Sequence, residues 1–173
     1  VHADELVGGH VYLDMPSVGA TVNTILVAVK AKGVTTIENA AKEPEIVNLA
    51  TFLNNMGAKI TGAGTSEIRI EGVEYLSKAF IEVIPDRIEA GTYVIAGALM
   101  GKNLKIDQII PEHIEMLILK LKEMGVPIEV NVDNVVVSHA DNLKSVKVKT
   151  LGYPGFATDL QQPFTVLLTQ SNG

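Results

Sequence analysis

The chain has 173 residues, 47% of them hydrophobic, no cysteine and a formal net charge of −6. That is enough apolar material for one ordinary domain or two small ones, and it excludes disulfides and thiolate metal sites. No apolar run approaches the roughly 20 residues that cross a bilayer, residues 1–4 lack the basic start and apolar core of a signal segment, and the acidic balance runs against a nucleic-acid surface.

Taken in chain order, Val11-Tyr12-Leu13 reads as a leading strand. It is followed by the small polar turn Pro16-Ser17-Val18-Gly19-Ala20-Thr21 and an apolar helix from Ala20 to Lys30. A helix start leaves N–H groups without partners, and small residues let a ligand reach them. Two readings stand at this turn: Ser17 or Thr21 as the N-cap of a core helix, or an anion site at the helix entrance. From Glu45 to Met56, apolar residues at three- and four-residue spacing predict a second helix, with Pro44 in its first turn and Gly57 just past its end. Glu67 to Glu71 alternates as a strand and puts Arg69 on its solvated face. Phe80 to Ile84 reads as another leading strand, followed by a turn from Pro85 and a helix over Thr92 to Met100. A helix over Glu112 to Met124, strands at Asn134 to Val137 and Ser145 to Lys149, and an apolar helical segment from Phe164 to Thr169 complete the chain.

These elements repeat. Pro44-Glu45-Ile46 leads to Met56-Gly57-Ala58-Lys59-Ile60, and Pro111-Glu112-His113-Ile114 leads in the same way to Met124-Gly125-Val126-Pro127-Ile128. The proline turns recur at Pro16, Pro85 and Pro154, where 85 − 16 and 154 − 85 both equal 69. One period reads strand, helix, strand, helix, strand, strand, and the third copy stops after its first helix. A unit this small cannot bury both faces of its helices alone, so it must stack on a neighbour. The absence of an initiating methionine agrees with a chain that is part of something longer.

The polar residues diversify at the three turns while the spacing holds, which favours function there over capping alone. Arginine occurs only as Arg69 and Arg87. Arg87 stands beside Asp86 and Glu89, where a local ion pair and a ligand or interdomain contact are even alternatives. Asp159 follows Thr158 at the third helix start, where a carboxylate is favoured as a cap and where a catalytic base would also fit. His2, His10, His113 and His139 are scattered with no pair at ligand spacing, so neither a metal nor a cofactor is expected.

The segments Ser17 to Thr21, Glu38-Asn39-Ala40-Ala41-Lys42-Glu43-Pro44-Glu45-Ile46, Met56 to Ile60, Pro85-Asp86-Arg87-Ile88-Glu89-Ala90-Gly91-Thr92 and Phe156-Ala157-Thr158-Asp159-Leu160-Gln161 resemble the UDP-N-acetylglucosamine 1-carboxyvinyltransferases. These enolpyruvyl transferases open peptidoglycan synthesis. The resemblance runs the length of the chain and implies an α/β fold of two similar domains. Each domain has three strand-helix-strand-helix-strand-strand units arranged as an inside-out α/β barrel, with the active site in the cleft between domains. On that footing residues 1–84 are the last unit of the catalytic domain, and residues 85–173 are one full unit and the start of another from the second domain. The fold is then a truncated one, covering under half of the enzyme.

The same resemblance implies the substrates, phosphoenolpyruvate and UDP-N-acetylglucosamine, in a cytoplasmic enzyme with neither nucleic acid nor membrane as partner. Met15, Pro16, Ser17, Val18 and Gly19 match the loop that binds the UDP moiety, Asp159 matches the base for the sugar hydroxyl, and Thr158 and Arg87 are expected at the substrate. Met15 stands where some relatives carry a basic residue, which leaves the backbone to make that contact. The family's loop cysteine or aspartate, its amino-terminal Lys-Asn pair and its phosphoenolpyruvate arginines fall outside this chain, so the chain alone is expected to be inactive. The alternatives are a transferase acting on shikimate 3-phosphate, which should lack the sugar-nucleotide loop, and a non-catalytic repeat scaffold of the ring-clamp kind, which should carry a basic face.

Overall fold

The computed structural model describes residues 3–173, so that His2 lies outside the described residues. The chain divides into two compact units, the first ending at Ile84 and the second beginning at Pro85.

The first unit runs β1 (His10–Tyr12), α1 (Val18–Ala28), β2 (Val34–Glu38), α2 (Pro44–Asn55), β3 (Lys59–Thr61) and β4 (Glu67–Glu71). That is one complete strand-helix-strand-helix-strand-strand period. The sheet order is β1-β2-β4-β3, with β1 parallel to β2 across α1 and the other pairs antiparallel. Strand alternation sends Ile37, Ile60, Ile68 and Ile70 to one face, where Ile25 of α1 and Ile46, Ala50 and Leu53 of α2 close over them. Ile25, Ile37, Ile46, Ile68 and Ile70 are each 0% exposed, and burying each side chain contributes about 1.5–3 kcal/mol. The opposite face is polar. There Lys59 and Glu71 stand directly across from one another, and the Lys59 Nζ hydrogen bond at 2.6 Å holds the Glu71 carboxyl below its usual value.

The second unit runs α3 (Arg87–Met100), β5 (Leu104–Asp107), a 3-10 turn at Pro111–Ile114, α4 (Glu115–Met124), β6 (Ile128–Val130) and β7 (Asn134–Val137). Its sheet order is β5-β7-β6, all antiparallel. The chain continues as β8 (Leu143–Lys144), a 3-10 turn at Thr158–Leu160, α5 (Gln161–Leu168) and β9 (Ser171–Asn172), with β8 parallel to β9. Val94, Leu117, Leu121, Met124, Val135, Val137, Phe164 and Leu167 form a single core, with Phe156 edge-on to Phe164 at 5.1 Å. Gly125, at φ 89°, ends α4 in the left-handed conformation and returns its N–H to Leu121 O and Lys122 O. No closed barrel forms among the described residues.

Several boundaries differ from the sequence expectation. The helix expected from Thr92 starts at Arg87, because the Asp86 carboxylate accepts from Ile88 N at 2.8 Å and Glu89 N at 3.2 Å and so caps an earlier first turn. Phe80 to Ile84 is not a strand: Phe80 is 96% and Val83 76% exposed, and residues 75–86 belong to no helix or strand. An apolar run supplies a face, but a strand also needs a neighbour to complete its ladder. The strand expected over Ser145 to Lys149 does not form, since the ladder ends just before it with β8 at Leu143–Lys144, although Val146 and Val148 still pack on the core.

Gly72 marks a close approach between the end of β4 and the exit of α1, since a Cβ there would lie 1.6 Å from the backbone O of Ala31. Backbone cannot swing aside as a side chain can. Gly72→Ala is therefore expected to destabilise the protein by about 1–3 kcal/mol in a denaturant titration.

Candidate functional site

The first candidate region is the entrance to α1. The chain leaves β1 at Tyr12, and Leu13 N donates to Glu38 O at 3.1 Å. Asn39 Nδ2 donates to Leu13 O at 2.8 Å. Ser17, extended at φ −132° and ψ 119°, is the N-cap; its hydroxyl accepts from Ala20 N at 3.3 Å and its carbonyl accepts from Thr21 N at 2.9 Å. Helix geometry leaves the Val18 and Gly19 N–H groups ahead of the first intrahelical acceptor.

Exposure at this entrance is high. Met15 is 70% exposed, Pro16 and Gly19 are exposed, and Ser17 and Val18 are half-buried. A Cβ placed on Gly19 would meet nothing within 4 Å, so packing does not demand glycine there. The open backbone at a positive helix end suits an anionic or carbonyl oxygen.

The second region lies in the other unit, where Arg87 opens α3. Its guanidinium carbon sits 5.8 Å from the centroid of the Tyr153 ring, and His113 meets the same ring edge-on at 6.5 Å. Arg87, Glu112, His113, Tyr153, Phe156 and Leu160 line a cavity of about 150 Å³. The structure thus brings Arg87 against the third proline turn. Leu160 fixes that turn on α3 over Gly91, where a Cβ would come within 2.8 Å of Leu160 Cδ1.

Thr158 and Asp159 occupy the 3-10 turn between Ala157 and Leu160, and both are exposed. The N-cap position is Ala157, with no side-chain capping bond, so Asp159 is not the helix cap that its place in the sequence suggests. The reason is local. The chain turns through 3-10 geometry before α5 begins at Gln161, which puts Asp159 inside the turn instead of ahead of it.

Met15 to Gly19 belong to the first unit, and Arg87, Thr158 and Asp159 to the second. Sequence reasoning offered Thr21 only as an alternative N-cap, whereas Ser17 takes that place and the Thr21 hydroxyl accepts from Ala41 N at 3.0 Å; it missed the role of Asn39 at the α1 entrance, and Tyr153 and His113, which surround Arg87. Asn39 carried one signal: asparagine is enriched among residues at positive φ, and it stands at φ 55° directly after β2. Among the described residues no group of three His, Asp or Glu side chains forms a metal set, and no helix is long and apolar enough to cross a membrane.

The strand-helix-strand-helix-strand-strand order of the first unit, and its counterpart without the leading strand in the second, are shared with solved enolpyruvyl transferases. The chain superposes on the enolpyruvyl transferase NikO from Streptomyces tendae with a TM-score of 0.83 and 25% identity, over 99% of this chain and 44% of that one. EPSP synthase from Acinetobacter baumannii, 20% identical with a TM-score of 0.56 over 82% of this chain and 34% of that one, shares the fold. The family model for EPSP synthase (3-phosphoshikimate 1-carboxyvinyltransferase) matches residues 1–173, and the chain belongs to this family. Within it, the chain is 60% identical over all 173 residues to UDP-N-acetylglucosamine 1-carboxyvinyltransferase 2 of Geobacillus kaustophilus and 55% identical to that of Listeria monocytogenes. It spans 40% and 41% of the length of those two relatives.

The two acidic residues at helix starts should separate by stability. Asp86→Ala removes a carboxylate that accepts two N–H groups and is expected to cost about 1 kcal/mol. Asp159→Ala removes no capping bond, so its denaturation midpoint should stay at the wild-type value in the same titration.

Proposed function

We propose that the chain is part of a transferase that moves the enolpyruvyl group of phosphoenolpyruvate to the 3-hydroxyl of UDP-N-acetylglucosamine in peptidoglycan synthesis. The observation that carries this reading is the 60% identity, unbroken over the whole chain, to a relative named for that reaction. The retained Met15–Gly19 turn supports the sugar nucleotide over shikimate 3-phosphate as acceptor, and the net charge of −6 runs against a clamp-like scaffold for nucleic acid. Both substrates are phosphorylated metabolites that do not cross membranes unaided, which supports a cytoplasmic setting. Residues 1–84 are assigned to the catalytic domain and residues 85–173 to the second domain.

In this reading the backbone at Met15, Pro16, Ser17, Val18 and Gly19 meets the UDP moiety, using the open N–H groups at the α1 entrance. Asp159 accepts the proton of the sugar 3-hydroxyl as its oxygen bonds to C2 of the enolpyruvyl group. An acid outside this chain protonates the methylene carbon. Loss of a proton from that carbon with departure of phosphate then restores the double bond and leaves the enolpyruvyl ether. Thr158 borders the sugar, and Arg87, held over Tyr153, contributes positive charge on the side of the third turn.

Phosphate release by the full-length protein from phosphoenolpyruvate and either acceptor tests the reading. Turnover is expected with UDP-N-acetylglucosamine, and turnover with shikimate 3-phosphate alone overturns it. Asp159→Asn should lower kcat by about 10²–10⁴-fold while binding of the sugar nucleotide, followed by calorimetry, persists. Near-normal turnover in that variant removes Asp159 from the chemistry. Gly19→Ala fits the helix without a clash and should hold or raise the melting temperature, yet raise KM for the sugar nucleotide. An unchanged KM removes the α1 entrance from the site.

A further inference from the structure

The exposed span at the α1 entrance makes few contacts of its own, yet it is pinned at both ends by a single short segment. At its start, both backbone groups of Leu13 are held: Leu13 N donates to Glu38 O at 3.1 Å, and Leu13 O accepts from Asn39 Nδ2 at 2.8 Å. At its end, the Thr21 hydroxyl, 0% exposed, accepts from Ala41 N at 3.0 Å. The segment between these anchors, Asn39-Ala40-Ala41, is itself fixed. Ala40 N donates to Ser66 O at 3.0 Å, and Ala40 and Ala41 are each 1% exposed within the core. Asn39 stands at φ 55°, a conformation that costs most residues free energy. That backbone turns the side-chain amide back across the loop to reach Leu13.

We propose that Asn39 and Thr21 are positioning residues for the sugar nucleotide, forming a brace that holds the Met15–Gly19 backbone in its binding geometry; this rests on the functional reading above. The brace touches no substrate. It acts by ordering a loop before the ligand arrives, which lowers the ordering cost of binding and leaves the chemical step alone. The polar choice at both positions follows. An apolar residue in place of Thr21 leaves the Ala41 N–H buried without an acceptor, and a residue without an amide at Asn39 frees the Leu13 carbonyl.

The test uses the full-length protein with Asn39→Gly, Thr21→Val and Thr21→Ser. Asn39→Gly keeps the left-handed backbone and removes only the amide, Thr21→Val keeps the volume and removes the acceptor, and Thr21→Ser keeps the acceptor. Asn39→Gly and Thr21→Val should raise KM for UDP-N-acetylglucosamine about tenfold while kcat and KM for phosphoenolpyruvate stay within about twofold. Amide hydrogen exchange should quicken over residues 14–19 and not elsewhere in the first unit, and Thr21→Ser should return KM toward the wild-type value. The core truncation Ile60→Val supplies the comparison for a purely structural loss, lowering the melting temperature without moving KM. A fall in melting temperature with KM for the sugar nucleotide unchanged overturns the brace. An equal rise in KM for both substrates does the same, as does an equal KM change in Ile60→Val. Wild-type protein that fails to bind UDP-N-acetylglucosamine overturns the functional reading and the ligand named here together, whereas wild-type binding with unaffected variants overturns the brace alone.

Discussion

In the first unit, one face of one small sheet must serve two helices. Strands of three to five residues offer only one or two inward positions each, so the isoleucines at 37, 60, 68 and 70 carry most of the apolar contact. Helices α1 and α2 both depend on them. The constraint sets the composition of everything around it: β-branched residues inward on the strands, where their stiffness costs little, and small alanines at 28, 40, 41 and 50 where helix and loop backbones crowd the same face. It also sets the polarity of the outer sheet face, which holds Thr36, Arg69 and the Lys59–Glu71 pair. The helices retain apolar surface that their own sheet does not cover, with Leu26 46%, Val27 50% and Val47 40% exposed. Helices carrying more apolar surface than one unit can bury are what a repeat architecture requires.

This packing determines where polar chemistry can reside. The core leaves no room for unpaired donors, so the buried groups of the first unit are spent on joining elements: Thr21 ties α1 to the segment after β2. Open polar groups are displaced to helix starts, where geometry obliges the chain to leave donors without partners. The α1 entrance shows the division of labour. Ser17 satisfies one donor, the helix carbonyls satisfy the next, and the open groups at Val18 and Gly19 stand on a base fixed by Asn39 and Thr21.

Periodicity made much of this legible. The 3.6-residue pattern located α2 and α4, Pro44 and Gly57 bracketed α2, alternation placed β4 and set Arg69 on the solvated face, and the repeat placed β7. The strand reading failed at Phe80 to Ile84 and at Ser145 to Lys149, because a local apolar pattern says nothing of a partner strand. Such a pattern failed in the other direction at Arg87 to Thr92, where capping by Asp86 lengthened a helix past it. The residues around the candidate site were legible only in part. Motif likeness pointed to Met15–Gly19, Arg87 and Thr158–Asp159, but the partners that hold them come from distant sequence. Asn39 reaches Leu13 across 26 residues and Thr21 meets Ala41 across 20. Tyr153 comes to Arg87 from the far end of the unit, and no local pattern encodes such contacts.

The three helix starts show why the acidic residue of the third differs in kind from that of the second. At the first, the Ser17 hydroxyl accepts from Ala20 N; at the second, Asp86 Oδ1 accepts from both Ile88 N and Glu89 N. In both, the polar side chain sits at the N-cap and its acceptor capacity goes to the helix it begins. At the third, the N-cap is Ala157, which has no acceptor to give, and the polar pair has moved into the turn as Thr158 and Asp159. The turn there has no side-chain cap, and the carboxylate within it keeps its lone pairs. N–H bonds to a capping carboxylate stabilise its ionised form and lower its basicity, so each charge-assisted bond of that type opposes proton transfer to it. An exposed, uncapped carboxylate on a turn anchored by buried Leu160 meets no such cost. Its geometry is set by the core, and its acceptor capacity remains available to a hydroxyl brought alongside.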